Sequence, residues 1–110
     1  MDKSRNYNEE LKDTLDHQYA YNFDFDVMHH YMIEAFKPFF MPGNFLELGS
    51  FKGDFTKRFG NFFDDITCVE ASDNAISFAK KQVNQNVKFI NSRFEDANLS
   101  KKYDNIVMTH

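Results

Sequence analysis

Glu47, Gly49 and Gly53 fall close together in the stretch NFLELGSFKGDFTKRFG (residues 44–60), and a second acid, Glu70, follows 23 residues after the first. Glycines in a turn let the backbone come close to a ligand. A carboxylate at the end of the next strand offers two acceptor oxygens to a vicinal diol. That pairing suits a nucleoside. Phe51 stands inside the turn, where many nucleotide-binding loops carry a third glycine. Further on come Arg93, Phe94, Glu95 and Asp96, a ring among three charges in a polar loop, and His110, whose imidazole can act as a general base.

Two phosphate-binding loops fit poorly. The triphosphate loop, G-x-x-x-x-G-K-[ST], needs four residues between its glycines and a lysine after the second; here there are three residues and then Asp54. The dinucleotide fingerprint, G-x-G-x-x-G, needs glycines where the chain has Phe51 and Asp54. An aspartate at the helix start would also repel a pyrophosphate drawn to the positive end of the dipole.

The elements that must position these residues follow from hydrophobic periodicity. From Asp26 onward, Met28, Tyr31, Met32, Ala35 and Phe36 recur at helical spacing, with Asp24 or Asp26 as the cap and Pro38 as the stop. Upstream, Leu11 and Leu15 are one helical turn apart, and Tyr19, Tyr21 and Phe23 with Tyr31 form an aromatic segment that either covers the site or packs on the sheet edge. A turn at 41–44 precedes a strand at 44–48. A short helix at 54–59 stops at Gly60, expected to be left-handed. A β-branched strand at 66–70 leads to a helix over 72–86, capped by Ser72 or Asp73, with Ile76, Ala79 and Val83 inward and Lys80 and Lys81 near its C-terminal end. Strands at 87–91 and 105–109 complete the pattern. Strand and helix in alternation predict an α/β fold with a parallel sheet.

On these residues the chain resembles the class I S-adenosylmethionine-dependent methyltransferases. Their first motif runs acid, x, Gly, x, Gly, x, Gly; Glu47, Gly49 and Gly53 match it, and Phe51 replaces the middle glycine. The resemblance covers roughly residues 44–110. It implies a Rossmann-like doubly wound parallel sheet, cut short after its fourth strand, behind an N-terminal helical cap segment (1–43). It implies S-adenosylmethionine as cofactor, held by Glu47, Gly49, Ser50, Phe51 and Gly53 around its methionine portion. Phe51 either narrows the approach or packs on that portion. Glu70, with Ala71 after it, takes the position that binds the ribose hydroxyls. Arg93 stands in the place of the family's adenine-contacting acid, Phe94 supplies an N–H and an apolar wall, and Glu95 or Asp96 takes the adenine amino group. His110, at the end of the fourth strand, is a base or a polar pocket wall. The implied function is methyl transfer to a small-molecule acceptor. Two alternatives stand beside it: an inactive methyltransferase-like interaction module, and the NAD-binding half of an oxidoreductase.

Composition narrows the setting. A net charge of −4 argues against a duplex-binding surface, which needs basic residues to neutralise phosphates. Phe is abundant, at 14 residues, and Trp is absent, so the core is expected to be Phe-rich. The single cysteine, Cys68, excludes an internal disulfide and an all-cysteine zinc site. His29 and His30 are adjacent and point to different helix faces, and His17 has no partner in the pattern, so no metal site is expected. The charged start has no secretion signal and no apolar run spans a membrane, which makes a cytoplasmic protein the expectation. An incomplete sheet would expose an edge and favour a homodimer.

Overall fold

The computed structural model describes Asn8 and residues 25–109. His110, His17, Leu11, Leu15, Asp24 and the aromatic residues Tyr19, Tyr21 and Phe23 lie outside the described residues.

Strands β1 (Phe45–Leu48), β2 (Ile66–Glu70), β3 (Lys88–Asn91) and β4 (Asn105–Met108) form one parallel sheet in the order β3-β2-β1-β4. The chain steps outward from β1 to β2 to β3 and then returns to the far side of β1. That reversal of strand order falls between β1 and β4, and in open parallel sheets ligands bind in the crevice beyond the carboxyl ends of the strands at such a point. In register, Glu47 lies between Cys68 and Val107, and Leu48 between Val69 and Met108.

The core is built of phenylalanine, as composition predicts. Phe45 of β1 meets Phe59 at 4.3 Å and Phe63 at 4.7 Å between ring centroids, and Phe55 meets Phe59 at 4.6 Å. Ile33, Ile66 and Cys68 complete the buried cluster. Tilted contacts of this kind add to the area buried by each ring. They fix helix α2 (Thr56–Phe59) over β1, and the glycine turn lies between the two.

Helix α1 (Phe25–Phe36) packs against the same cluster, but not with the face expected from sequence. His29 and Ile33 are buried, with Met32 and Phe36 packed in part, whereas Met28, Tyr31 and Ala35 are exposed. The His29 ring stacks on Phe55 at 4.5 Å, so an imidazole occupies a core position that hydrophobicity alone would leave out. Asp26 pairs with Arg58 of α2. Pro38 sits in a 3-10 turn, Lys37–Phe39, that ends the helix as predicted.

Asparagines clamp β4 beside β1. The Asn105 side chain donates to the carbonyls of Met41 and Asn44 and accepts from the Met41 N–H, at 2.8–3.0 Å. Asn44 accepts from the Asp104 N–H at 2.8 Å and donates to the Lys102 carbonyl at 2.9 Å.

Three local expectations are corrected. Gly60 is right-handed (φ −59°), and the backbone winds on until the Phe63 N–H bonds the Phe59 carbonyl at 3.0 Å, which delivers Phe63 to the core. Helix α3 (Asp73–Ala79) is shorter than the predicted 72–86. Its continuation, a run of turns, is held toward the glycine turn by Gln82, whose amide donates to the Lys52 carbonyl at 2.8 Å. The strand ends also shift: Asn44, Val87 and Thr109 lie just outside β1, β3 and β4.

Candidate functional site

The turn after β1 is a tightly bonded loop. The Gly49 N–H donates to the Val69 carbonyl at 2.8 Å, and the Gly53 N–H to the Ser50 carbonyl at 2.9 Å. Gly49 and Gly53 have φ of 85° and 86°, backbone that L side chains rarely adopt. The two glycines differ in what surrounds them. A Cβ on Gly53 would lie 2.9 Å from the Ala79 Cβ and 3.1 Å from its Cα, so Gly53 lets the turn seat against α3. A Cβ on Gly49 would meet only the tip of the Phe94 ring, at 3.4 Å, on the crevice side.

Phe51 also has positive φ, 53°, the one such non-glycine among the described residues. A left-handed residue with a side chain costs roughly 1–2 kcal/mol. The conformation aims the Phe51 N–H at Glu70 Oε1, at 2.8 Å. Phe51→Gly should therefore unfold in urea within about 1 kcal/mol of wild type, because relief of strain offsets the added freedom of the unfolded glycine. Phe51→Val, β-branched at a left-handed position, should be less stable than Phe51→Gly by roughly 1–2 kcal/mol. Equal stabilities would contradict the strain.

Glu70 is the organising side chain. Only 8% exposed, it accepts the Phe51 N–H on Oε1 and, on Oε2, the Ser72 N–H at 2.9 Å. Two backbone donors from opposite walls thus set the plane of the carboxylate. Each oxygen keeps a further lone pair for a ligand. Ser72, rather than Asp73, caps α3: its hydroxyl accepts from the Ala75 N–H at 3.1 Å. Next to Glu70, Asn91 donates to the carbonyls of Glu70 and Ala71, both at 3.1 Å, and the Ser92 N–H bonds the Glu70 carbonyl at 3.1 Å. These bonds bring Arg93, Phe94 and Glu95 to the same edge.

Within that segment the charges divide. Arg93 is engaged with Asp96, at 2.6–2.7 Å, which commits Asp96 and leaves the more exposed Glu95 carboxylate only a loose 3.9 Å contact with Arg93. The Phe94 ring reaches over Gly49 and is 42% exposed. Gly49, Ser50, Phe51, Glu70, Ala71 and the segment from Arg93 to Glu95 are therefore brought to one rim, whereas Gly53 is buried against α3. Glu47 is near in sequence but turned away: its carboxyl group is fully buried beneath the turn, where the Thr56 hydroxyl bonds its Oε1.

Residues that the sequence did not single out complete the rim. Asn8 donates to Asp73 at 2.9 Å and accepts from the Ser72 hydroxyl at 2.6 Å, which sets its side chain at the start of α3. A lone asparagine in a polar stretch carries no signal of this. Thr56 and Asn91 were equally silent, because their partners are distant in sequence. Among the described residues, no three His, Cys, Asp or Glu side chains gather as a metal site. No helix there is long and apolar enough to cross a membrane.

Comparison with solved structures finds the same fold. A S-adenosylmethionine-dependent methyltransferase from Clostridium acetobutylicum superposes with a TM-score of 0.69 at 16% identity, over 94% of this chain and 44% of that one. The amino pentose methyltransferase CalS10 from Micromonospora echinaspora, solved with SAM bound, gives a TM-score of 0.68 at 10% identity, over 100% of this chain and 44% of its own. The plantazolicin methyltransferase BpumL, solved with SAH, gives 0.61 at 21% identity, over 91% of this chain and 40% of that one. The chain thus spans less than half the length of these structures. No curated protein matches it. The family model described as Nodulation protein S (NodS) matches residues 13–110. The chain therefore belongs to the NodS family and has the Rossmann-like fold of the class I S-adenosylmethionine-dependent methyltransferases.

Proposed function

We propose that the chain is the cofactor-binding portion of a methyltransferase that uses S-adenosylmethionine to methylate a small-molecule acceptor. The observation that carries this reading is the Glu70 carboxylate, held by the Phe51 and Ser72 N–H groups at the mouth of the crevice. Burial of a carboxylate with two fixed donors and spare lone pairs suits a diol, and no phosphate-binding loop competes for the site.

In this reading Glu70 accepts from both ribose hydroxyls. Gly49, Ser50 and Phe51 line the approach of the methionine portion, and the turn's carbonyls serve its ammonium. Phe94 offers its ring and N–H to the adenine, and Glu95 accepts from the amino group, since Arg93 holds Asp96. When bound, the cofactor supplies a methyl group already activated on a sulfonium, open to in-line displacement. The protein's part is then to align the acceptor and exclude water. His110 is the proposed general base or polar wall beside the acceptor, in a cytoplasmic enzyme. The small-molecule acceptor is supported by the net charge of −4 and by neighbours described as acting on an amino pentose or on plantazolicin.

Amide hydrogen exchange tests the site without a known acceptor. S-adenosylhomocysteine is expected to slow exchange in residues 49–53, at Ser72 and in residues 92–95. No change in any segment would favour the interaction module. Slowing confined to the polar recess lined by Lys57, Gln82 and Asn86 would place the ligand elsewhere.

A further inference from the structure

Glu47 occupies an unusual position for a carboxyl group. It is fully buried in β1, Oε1 takes the Thr56 hydroxyl and, at 3.8 Å, the Cys68 thiol, and Oε2 has no hydrogen-bond partner. The groups around it bring no positive charge. Facing it from β2 are Cys68, whose thiol burial holds in the protonated form, and Glu70, a second acid. From α2 comes Thr56, and from β4 the apolar Val107. Among the described residues no Lys, Arg or His pairs with it. A buried carboxylate with one oxygen unpaired and another acid nearby is unstable relative to the acid.

The turn hangs on what Glu47 holds. Thr56 begins α2, and the next residue, Lys57, donates its N–H to the Gly53 carbonyl at 3.0 Å. Gly53 in turn bonds Ser50, and Phe51 bonds Glu70. A shift at Thr56 therefore reaches the Glu70 carboxylate through a short chain of hydrogen bonds.

We propose that Glu47 works as a neutral carboxylic acid and is a positioning residue for the cofactor turn, holding Thr56 and so setting the loop from Gly49 to Gly53 over the sheet. The proposal rests on the cofactor site described above. Burial supports the protonated form: it raises the pKa from an ordinary 4.5 to about 7, against the opposing hydrogen bonds of Thr56 and Cys68, with Glu70 adding to the rise. The folded pKa lies above the unfolded one, so the folded protein binds more protons between them. Stability is then full below about pH 4.5, falls as pH rises toward 7, and is level beyond. Ionisation in the folded state strengthens the Thr56 bond but leaves a buried charge that needs water at Oε2, and admitting water opens the packing beneath the turn, so cofactor affinity falls as pH rises through 7.

The test compares wild type with Glu47→Gln and Glu47→Ala, by urea unfolding from pH 4.5 to 8 and by S-adenosylhomocysteine titration at pH 6 and 8. Glutamine mimics the neutral acid in shape. Relative to Glu47→Gln, wild type should lose stability between pH 4.5 and 7, and its affinity should fall about tenfold between pH 6 and 8 while that of Glu47→Gln stays level. Glu47→Ala, which frees Thr56, should bind more weakly than Glu47→Gln at both pH values. Parallel pH profiles for wild type and Glu47→Gln would overturn the proposal, as would Glu47→Gln binding as weakly as Glu47→Ala at pH 6. If no variant binds the ligand, the cofactor reading fails, and the unfolding profiles still decide whether Glu47 carries the proton.

Discussion

Glu70→Ala is expected to lower affinity for S-adenosylhomocysteine by at least about 100-fold. Two hydroxyls that donate to one carboxylate make charge-assisted hydrogen bonds, each contributing roughly 1.5–3 kcal/mol, and a factor of 100 corresponds to about 2.7 kcal/mol. The substitution acts twice. It removes the acceptor for the ligand, and it leaves the N–H groups of Phe51 and Ser72 without the oxygens they now bond. The second effect should lower unfolding stability by about 1–3 kcal/mol. Glu70→Gln keeps one acceptor oxygen but sets its NH2 against a backbone donor, so it should lower both affinity and stability. Calorimetry and urea titration on the same preparations read both. Unchanged ligand affinity in a folded Glu70→Ala protein would remove Glu70 from the site.

The second large effect is one of stability. Gly53→Ala should cost about 2–5 kcal/mol, and Gly49→Ala only about 1–2 kcal/mol, although the two glycines have nearly the same φ. Both substitutions carry the strain of a left-handed alanine. Only Gly53 adds a collision, with the Cβ and Cα of Ala79 at 2.9 and 3.1 Å, where both partners are fixed to backbone. At Gly49 the neighbour is the tip of a half-exposed ring that can turn aside. A small domain has about 5–15 kcal/mol in all, so Gly53→Ala should also deplete the folded population on warming. Equal losses in urea at the two positions would show that the seat of the turn on α3 is not a tight contact.

The different duties of two glycines in one motif show where sequence reading stops. Strand alternation, the glycine turn and the acid ending β2 are properties of short segments, so all four strands and the place of Glu70 at the end of β2 were legible. The direction of Glu47 was not. Period-two alternation does imply that Glu47 shares a face with Phe45, but an acid beside glycines reads as a ligand group until its partner is known. That partner, Thr56, lies across a turn whose shape the sequence does not specify. Helix α1 was misread because its buried stripe runs through His29, which a hydrophobic pattern skips in favour of Met28 and Tyr31. The length of α3 depends on Gln82 reaching the Lys52 carbonyl, a contact 30 residues apart. Asn8 reaches Ser72 over an even longer separation.

The most direct test of the cofactor site is calorimetric titration of this chain with S-adenosylhomocysteine, with NAD run in parallel under the same conditions. Saturation at one site by S-adenosylhomocysteine and no saturable heat from NAD are expected. Saturable binding of NAD with no response to S-adenosylhomocysteine would contradict it.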